Sequence, residues 1–233
     1  MNFNYLSSRK YLIAFGILTV LLLADQAIKI YIKTHFPLGE VVRWTNWCSI
    51  HFTENPGMAF GFTFGAVYGK IALTTFRILA SIFGLYYLIK IIKSQYPLGY
   101  IIAVVLILTG ALGNIVDSIC YGLWFDRGTV YNADFNTYLG YDGIAAFGSG
   151  YAPIMQGCVV DMFYFPLFKG TFPNWMPLWG GEAFEFFRPV FNLADACITC
   201  GVIILLLFNK RFQNAIEGLK KPAPATTDVD LNS

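Results

Sequence analysis

Charged residues are scarce in this sequence, because Asp, Glu, Lys and Arg make up only 13% of its 233 positions. An average soluble domain is about a quarter charged, whereas 56% of this chain is hydrophobic. The net charge of +2 is small and no basic cluster contains interleaved aromatic residues, which gives no support for a nucleic-acid partner. The composition therefore predicts a membrane protein.

Residues that commonly bind metals are also few. His35 and His51 are isolated and form no H-E-x-x-H pattern, so we expect both to be ordinary loop residues. The five cysteines are an odd number and give no disulfide framework. Cys197 and Cys200 form a C-x-x-C inside an apolar run, where such residues usually pack against a neighbouring helix. We predict no metal and no cofactor.

Long apolar runs, by contrast, are abundant. Each of four runs reaches about 20 residues, the length that a helix needs to cross about 30 Å of hydrocarbon. They cover roughly residues 11–32, 69–92, 98–120 and 188–208, separated by hydrophilic stretches at about 33–68 and 121–187. A cleaved signal peptide is the alternative for the first run, but "LLLADQAIK" offers no A-x-A-like cleavage site, which favours an uncleaved span.

The basic residues near the ends of these runs predict the orientation. Those on one side of the predicted membrane are Arg9, Lys10, Lys90, Lys93, Lys210, Arg211, Lys220 and Lys221. We therefore expect both termini in the cytoplasm and both long hydrophilic stretches on the outer face. Residues 1–210 would form the membrane domain. Residues 211–233 would form a cytoplasmic tail, partly disordered because of the composition of "PAPATTDVDLNS".

Each apolar run nevertheless carries polar groups in its outer part. With this orientation they fall at one depth: Asp25, Lys29, Arg77, Asn114, Asp117, Asn192 and Asp195. At 1.5 Å per residue, the last two would lie about 6–10 Å past the outer start of the fourth run. A carboxylate at the centre of a bilayer costs about 2.5–3.5 kcal/mol. Several such groups at one level indicate a shared polar site at the outer boundary.

The spacing of these groups leaves structural and functional interpretations open. Asp25 and Lys29 are four residues apart, which favours an intrahelical ion pair, with a role in ordering the site as the alternative. Asn114 and Asp117 lie on one helix face in "GALGNIVDS", where the glycines would allow a second helix to approach closely. Asp117 could equally be part of a hydrogen-bonded clamp between helices.

Asp161 and Asp195 are candidates for a catalytic carboxylate pair. Asp161 lies in the apolar run "CVVDMFYF", so we expect its side chain to face the polar cluster rather than solvent. Two carboxylates at close range cannot both ionise easily, and one keeps its proton. Such a pair can activate water and polarise a carbonyl without a metal. The sequence leaves open which aspartate starts protonated.

Five blocks of the sequence resemble, in order, the motif blocks of the lipoprotein signal peptidases, the type II signal peptidases of bacteria. They are "DQAIK", "ENPGMAFGF", "GALGNIVDS", "VVDMFYF" and "FNLADACITCG", and they extend from residue 25 to about residue 201. Each block is a weak pattern alone, but five in the same order on a four-span scaffold are specific.

The resemblance implies an all-α membrane protein with four transmembrane helices and a small β-rich cradle on the outer face. In "CSIHFTEN" an alternating pattern could supply a strand of that cradle, and "NPG" is a turn signal. The implied activity is that of an aspartic endopeptidase of the bacterial inner membrane. It would remove the signal peptide from a prolipoprotein before its diacylglyceryl-modified cysteine, and we expect a monomer surrounded by membrane lipid.

The resemblance also implies roles for individual residues. Asp161 and Asp195 match the two catalytic aspartates of the family. The supporting polar residues of the family match Asp25, Lys29, Asn55, Gly57, Asn114, Asp117 and Asn192.

Two features depart from the family pattern. The family usually has an arginine directly after the aspartate of the third block, where this chain has Ser118; Arg77 and Arg127 are candidates to replace it. The chain also has a long outer-face insertion at about 121–157, rich in Gly and Tyr. We expect a mobile loop with aromatic contact points that adds nothing to the core. A lid or partner surface and a passive insertion both remain open.

Two other functions compete with a peptidase. A small ion-coupled transporter also uses carboxylates inside the membrane, but it would extend polar groups toward the inner face, where these runs lack acids. A non-catalytic assembly factor that acts through its outer loops is the third possibility.

Overall fold

Three long helices dominate the molecule. The structure, a computed structural model, describes residues 3–57, 66–166, 168–186 and 189–220. The helices are α1 (Phe3–His35), α2 (Ala66–Lys93) and α3 (Leu98–Val116). A π-helical turn (Asp117–Tyr121) and the short α4 (Gly122–Trp124) continue α3 directly. All three are long and apolar enough to cross a membrane, so the first three apolar runs are confirmed as helices.

The fourth apolar run is divided between two kinds of structure. Val190–Phe191 form the short strand β8, and α5 begins at Leu193 and ends at Leu207. The predicted helix start at 188 is therefore wrong, because a short apolar segment does not distinguish a strand from a helix by periodicity. Asn192 caps α5, and its side chain accepts a hydrogen bond from the backbone N–H of Asp195. Asp195 thus lies in the first turn of the helix, not 6–10 Å along it.

The helix α6 (Asn209–Lys220) follows α5 at an angle of 70°. The two helices reach the length of a span only if the bent pair is taken as one. The helix-rich membrane architecture with small sheets is confirmed, and the number of four spans stays a prediction. Residues 211–220 of the expected tail are helical, with Phe212 buried and Arg211 exposed. Residues 221–233, for which disorder was expected, lie outside the described residues.

A four-stranded antiparallel sheet stands at one end of the helices. Its order is β1 (Val41–Arg43), β2 (Ser49–Asn55), β5 (Val159–Tyr164) and β8. The strand predicted in residues 48–55 is confirmed as β2. Two further hairpins pair β3 (Val130–Asn132) with β4 (Thr137–Leu139), and β6 (Phe168–Thr171) with β7 (Ala183–Phe186).

The alternation of side chains along β5 decides where its aspartate points. Val160 and Met162 are fully buried in the hydrophobic core beneath the sheet. Because neighbouring residues of a strand point to opposite faces, Asp161 points to the other face. It is only 4% exposed there, which confirms that its side chain is turned away from solvent.

Two hydrophobic cores hold the elements together. The first joins α1, α2 and α3 and consists of Ala14, Leu88, Ile91, Ile92, Ile101, Val104, Val105 and Leu108. The second lies under the sheet and consists of Ile32, Ile50, Phe52, Tyr121, Phe125, Val160 and Met162. The helix α3 packs against α1, α2 and α5 and is the centre of the helical part.

The insertion at 121–157 differs from its expectation in two ways. Its first residues belong to the π-helical turn and α4. Phe125 is fully buried in the second core, and Tyr151 packs against that core. The expectation that the insertion adds nothing to the core is therefore wrong, because its aromatic rings fill the space between α1 and the sheet.

Both histidines lie in regular secondary structure, and the cysteines differ in burial. His35 ends α1 and stacks on Tyr31, and His51 lies in β2, so the prediction of two loop residues is wrong. Cys197 is buried as expected, whereas Cys200 is exposed. Within the described ranges, no group of three or more His, Cys, Asp or Glu side chains is arranged to hold a metal ion.

Candidate active site

The predicted polar residues converge where the helices meet the sheet. Asp25 and Lys29 come from α1, and Asn114 comes from α3. Asp117 begins the π-helical turn, and Asp161 lies in β5. Asn192 and Asp195 come from the N-terminus of α5. Elements far apart in sequence thus place these side chains in one connected network, which we call the acidic cluster.

Lys29 is the centre of the ionic part of this cluster. Its ammonium lies 2.9 Å from Asp25 Oδ2 and 2.8 Å from Asp117 Oδ2, and all three side chains are at most 2% exposed. The intrahelical pair between Asp25 and Lys29 is therefore present, but the lysine is shared with a second helix. Asp117 also accepts from the backbone N–H of Val160 at 3.3 Å, so it clamps α1, α3 and β5 together.

Asn114 connects the lysine to the N-terminus of α5. Its Oδ1 accepts from Lys29 Nζ at 3.0 Å, which fixes the orientation of the amide because an ammonium can only donate. The Nδ2 of Asn114 is then free to donate to Asp195 Oδ1 at 2.8 Å. The lysine thereby determines which end of the amide faces the carboxylate of Asp195.

Asn192 connects the carboxylate of Asp161 to the backbone of Asp195. Its Nδ2 donates to Asp161 Oδ1 at 2.6 Å and to Asn114 Oδ1 at 3.2 Å. Its Oδ1 accepts from the backbone N–H of Asp195 at 2.9 Å. One side chain therefore caps α5 and binds Asp161, which brings Asp161 and Asp195 within the reach of a single amide.

The two carboxylates differ in their surroundings. Asp161 is 4% exposed, while Asp195 is partly exposed in the first turn of α5. Burial, and next to it the charge of Asp195, raise the pKa of Asp161 to about 8. At neutral pH Asp161 therefore carries a proton, and it can donate a hydrogen bond to a substrate carbonyl.

A close approach of α3 and α5 makes this geometry possible. A Cβ atom at Gly110 would overlap the carbonyl oxygen of Ala194, and one at Gly113 would lie 2.7 Å from Asp25 Oδ2. The backbone N–H of Ala194 donates to Asp25 Oδ1 at 2.9 Å. The predicted role of the glycines is confirmed, because no larger residue leaves room for Asp25 between the two helices.

The structure separates the two candidates for the missing family arginine. Ser118 is buried and donates to the carbonyl of Asn114 at 2.9 Å, so it cannot supply a charge. Arg127 is half exposed and binds Asp126 and the carbonyl of Asp142. Arg77 on α2, by contrast, interacts electrostatically with all of Asp117, Asp161 and Asp195.

Two members of the network were not selected from the sequence. Gln26 donates to Asp117 Oδ1 at 2.9 Å and to the carbonyl of Gly113 at 3.2 Å. The hydroxyl of Tyr121, which is fully buried, donates to Gln26 Oε1 at 3.1 Å. The signal that could have identified Gln26 is its position as an amide inside an apolar run, directly beside Asp25.

Two predicted supporting residues lie at the end of the described range 3–57. Asn55 ends β2, and its Oδ1 accepts from the backbone N–H of Gly57 at 2.9 Å. Gly57 has φ of 97°, a conformation that favours glycine, as expected for the turn in "NPG". Residues 58–65, which include the rest of the block "ENPGMAFGF", lie outside the described residues.

Comparisons with known proteins agree on one family. The family model described as signal peptidase (SPase) II matches residues 17–210. A lipoprotein signal peptidase of Porphyromonas gingivalis is 43% identical over 216 residues, covering 92% of this chain and 90% of the relative. One from Amoebophilus asiaticus is 32% identical over 221 residues, covering 93% of this chain and 85% of the relative.

A solved structure of a bacterial membrane enzyme is similar in fold. Its TM-score is 0.53 at 21% sequence identity, and the match covers 91% of this chain and 93% of that chain. At this identity the likeness shows the fold alone.

Proposed function

The chain belongs to the signal peptidase II family, and from this premise we propose that Asp161 and Asp195 are the catalytic pair with which it removes signal peptides from prolipoproteins. The protein is a peptidase of lipoprotein processing. The aspartic mechanism and the roles of individual residues belong to the proposal. Membership of this peptidase family argues against the transporter and the assembly factor as alternative functions.

The observation that carries the proposal is the bridge through Asn192. The side chain of Asn192 binds the carboxylate of Asp161 from the sheet and the backbone N–H of Asp195 at the start of α5. The buried member has a pKa of about 8 and the other is more accessible. A neutral carboxylic acid beside a carboxylate is the arrangement that general acid–base catalysis by a carboxyl pair requires.

The proposed reaction steps follow from this difference between the two carboxyl groups. The carboxylate of Asp195 takes a proton from water, and the oxygen of that water attacks the scissile carbonyl carbon. Asp161 donates its proton to the carbonyl oxygen, which gives a neutral tetrahedral diol. The C–N bond then breaks as Asp195 returns its proton to the leaving nitrogen, and Asp161 recovers a proton from a diol hydroxyl. Both carboxyl groups end in their starting states.

The remaining polar residues act as positioning residues in this proposal. Lys29 forms ion pairs with Asp25 and Asp117 and offsets part of their negative charge beside the pair. Asn114 and Asn192 orient the two carboxyl groups. Asn55 and Gly57 form a turn at the end of β2, next to the strand that carries Asp161. We assign no cofactor.

The placement in the membrane is also a proposal. Large apolar side chains are exposed on the helices, as lipid contact requires, and include Leu12, Val20, Leu23, Phe76, Leu79, Ile82, Leu206 and Leu207. The basic residues assigned to the cytoplasmic side support an inner-membrane protein with both termini in the cytoplasm and the site near the outer face. A site at that boundary lets the diacylglyceryl chains of the substrate stay in lipid while its peptide reaches the pair. We keep the expectation of a monomer.

The test is cleavage of a diacylglyceryl-modified prolipoprotein by the purified protein in the presence of a metal chelator. Asp161→Asn and Asp195→Asn should each lower kcat by about 10²–10⁴-fold or more, because each removes an acid–base group. Asp134→Asn, at an exposed carboxylate of the β3–β4 turn, is the matched control and should leave turnover unchanged. Thermal unfolding checks that the variants are folded. Near-normal turnover by either folded variant would remove that residue from the pair.

A further inference from the structure

A second buried polar cluster lies beside the first, between the outer end of α1, the start of α2 and the insertion. Lys33 forms an ion pair with Glu54, and both side chains are 0% exposed. Glu54 Oε2 also accepts from the backbone N–H of Thr129 at 2.6 Å. The ammonium of Lys33 lies 5.1 Å from the ring centre of Tyr151. The positive charge of Lys33 and the negative charge of Glu54 therefore balance each other.

Lys70 is the second lysine of this cluster, and no carboxylate of the described residues forms an ion pair with it. It is 7% exposed, and its Nζ donates to Cys158 Sγ at 3.2 Å. Its ammonium also lies 5.9 Å from the ring centre of Tyr138. Among the ion pairs of the described residues, none involves Lys70. The cluster therefore holds two buried ammonium groups and one carboxylate.

The neutral neighbours of Lys70 do not supply the missing negative charge. Cys158 donates its thiol proton to the carbonyl of Thr129 at 3.2 Å. Burial raises the pKa of the Cys158 thiol and of the Tyr138 and Tyr151 phenols. All three stay protonated at neutral pH. A buried cation without a counter-charge is costly, so the cluster is arranged to receive an anion from outside the chain.

The space for such an anion is present. Lys70 lines a pocket of about 210 Å³. The other polar residues of its lining are Thr129, Tyr131, Tyr138, Tyr151 and Gln156. Hydroxyl and amide groups can donate hydrogen bonds to an anion beside the ammonium. The lining also includes Val130, which is 40% exposed, so the pocket reaches the surface of the molecule.

The position of Lys70 along α2 indicates where the anion comes from. It is the fourth residue of the candidate span Val67–Lys93, so it lies about 5 Å inside the end of that span. Phospholipid head groups occupy this depth, and tyrosines are enriched there. We propose that the pocket binds the phosphate group of an anionic phospholipid in the outer leaflet, with Lys70 as its counter-charge. This site is separate from the carboxylate pair and does not depend on the proposed mechanism.

Calorimetric binding to the purified full-length protein in a non-ionic detergent tests the proposal. The probes are dihexanoyl phosphatidylglycerol, which is soluble, and inorganic phosphate. Wild-type protein should bind the lipid at one site. Lys70→Met and Gln156→Glu should each weaken binding by at least about tenfold, because they remove the charge or supply an internal one. Lys93→Met, at the exposed far end of α2, is the matched control and should bind as wild type does.

The two pocket variants keep the test decisive. Gln156→Glu retains the lysine, so it still reports if Lys70→Met does not fold. Wild-type protein that binds neither probe, or lipid binding that is equal in wild type and Gln156→Glu, would overturn the proposal. Binding of inorganic phosphate without binding of the lipid would overturn the assignment to a phospholipid.

Discussion

The two buried polar clusters lie one helical turn apart on α1, and they carry opposite excess charge. Lys29 contacts the acidic cluster, in which the carboxylates outnumber the cations: Asp25, Asp117, Asp161 and Asp195 face Lys29 and Arg77. Four residues later, Lys33 contacts the second cluster, where Glu54 is the one carboxylate that pairs with a lysine among the described residues, and Lys70 is the second ammonium. The same residue type on one helix therefore serves two different electrostatic environments.

From this contrast we infer that the excess charge of each cluster, and not its ion pair, decides whether the cluster retains a proton or attracts an anion. Both clusters contain a fully buried lysine bound to a carboxylate. In the first, the surplus of carboxylates favours a bound proton and raises the pKa of Asp161. In the second, the surplus ammonium favours a bound anion. Each cluster contains an ion pair, and the group outside that ion pair is the one to which we assign the proposed catalysis or anion binding.

Removal of one lysine from each cluster should have the largest and most different effects on stability. Lys29→Met leaves Asp25 and Asp117 buried without a cation and should lower the free energy of unfolding by about 3–5 kcal/mol. Lys70→Met removes no ion pair and should cost less than about 1 kcal/mol, because methionine fills similar space. Chemical unfolding in detergent, followed by far-UV circular dichroism, measures both. Equal losses would mean that the charge balance does not distinguish the clusters.

The pH dependence of cleavage tests whether Asp161 of the acidic cluster holds a proton. Asp161 holds its proton up to about pH 8, so kcat/KM should fall about tenfold per pH unit above that value as the acid is lost. The native state binds this proton more tightly than the unfolded chain does. Its contribution to stability is therefore fully present below the ordinary pKa of 3.8 and is lost progressively as pH rises to about 8.

Measurement of kcat/KM over a series of pH values detects this fall at alkaline pH, which we call the alkaline limb. Asp134→Asn should show the same fall in kcat/KM as wild type, because Asp134 is exposed in the turn between β3 and β4. A flat profile from pH 7 to pH 10 would contradict a protonated Asp161 in the active form.

The smallest expected effect comes from Arg77. Its charge interacts with Asp161 but forms no ion pair within 4.0 Å among the described residues. Arg77→Gln increases the excess of negative charge, so the pKa of Asp161 and the alkaline limb should both move upward by less than about one unit. The same pH series detects the shift, with Lys93→Met on α2 as the control. A downward shift would mean that Arg77 does not neutralise the pair.

The sequence predicted the helical scaffold and most of the acidic cluster because both have local signals. Apolar runs of sufficient length predicted α1, α2 and α3, and aspartates inside apolar surroundings identified Asp117, Asp161 and Asp195. The strand β2 was predictable from its alternation. The assignment of Asp161 and Asp195 as the catalytic pair stays a prediction.

Features that depend on contacts across the chain could not be predicted. Lys70 and Cys158 are 88 residues apart, and neither forms a local pattern with its neighbours. Val190 and Phe191 form a strand because they pair with Tyr164 and Phe163 of β5, which lie far away in the sequence. The burial of Phe125 likewise depends on how the insertion folds back onto α1 and the sheet.

The π-helical turn at Asp117–Tyr121 has an evolutionary consequence. It adds one residue to the helical register between Asp117, which binds Lys29, and the buried ring of Tyr121. Because a π-helical turn accommodates one residue more than an α-helical turn, the loss of a single residue here would let the turn become α-helical while the chain that follows keeps its orientation. Relatives could therefore differ by one residue within this turn, and by more within residues 126–150, without turning the site out of phase.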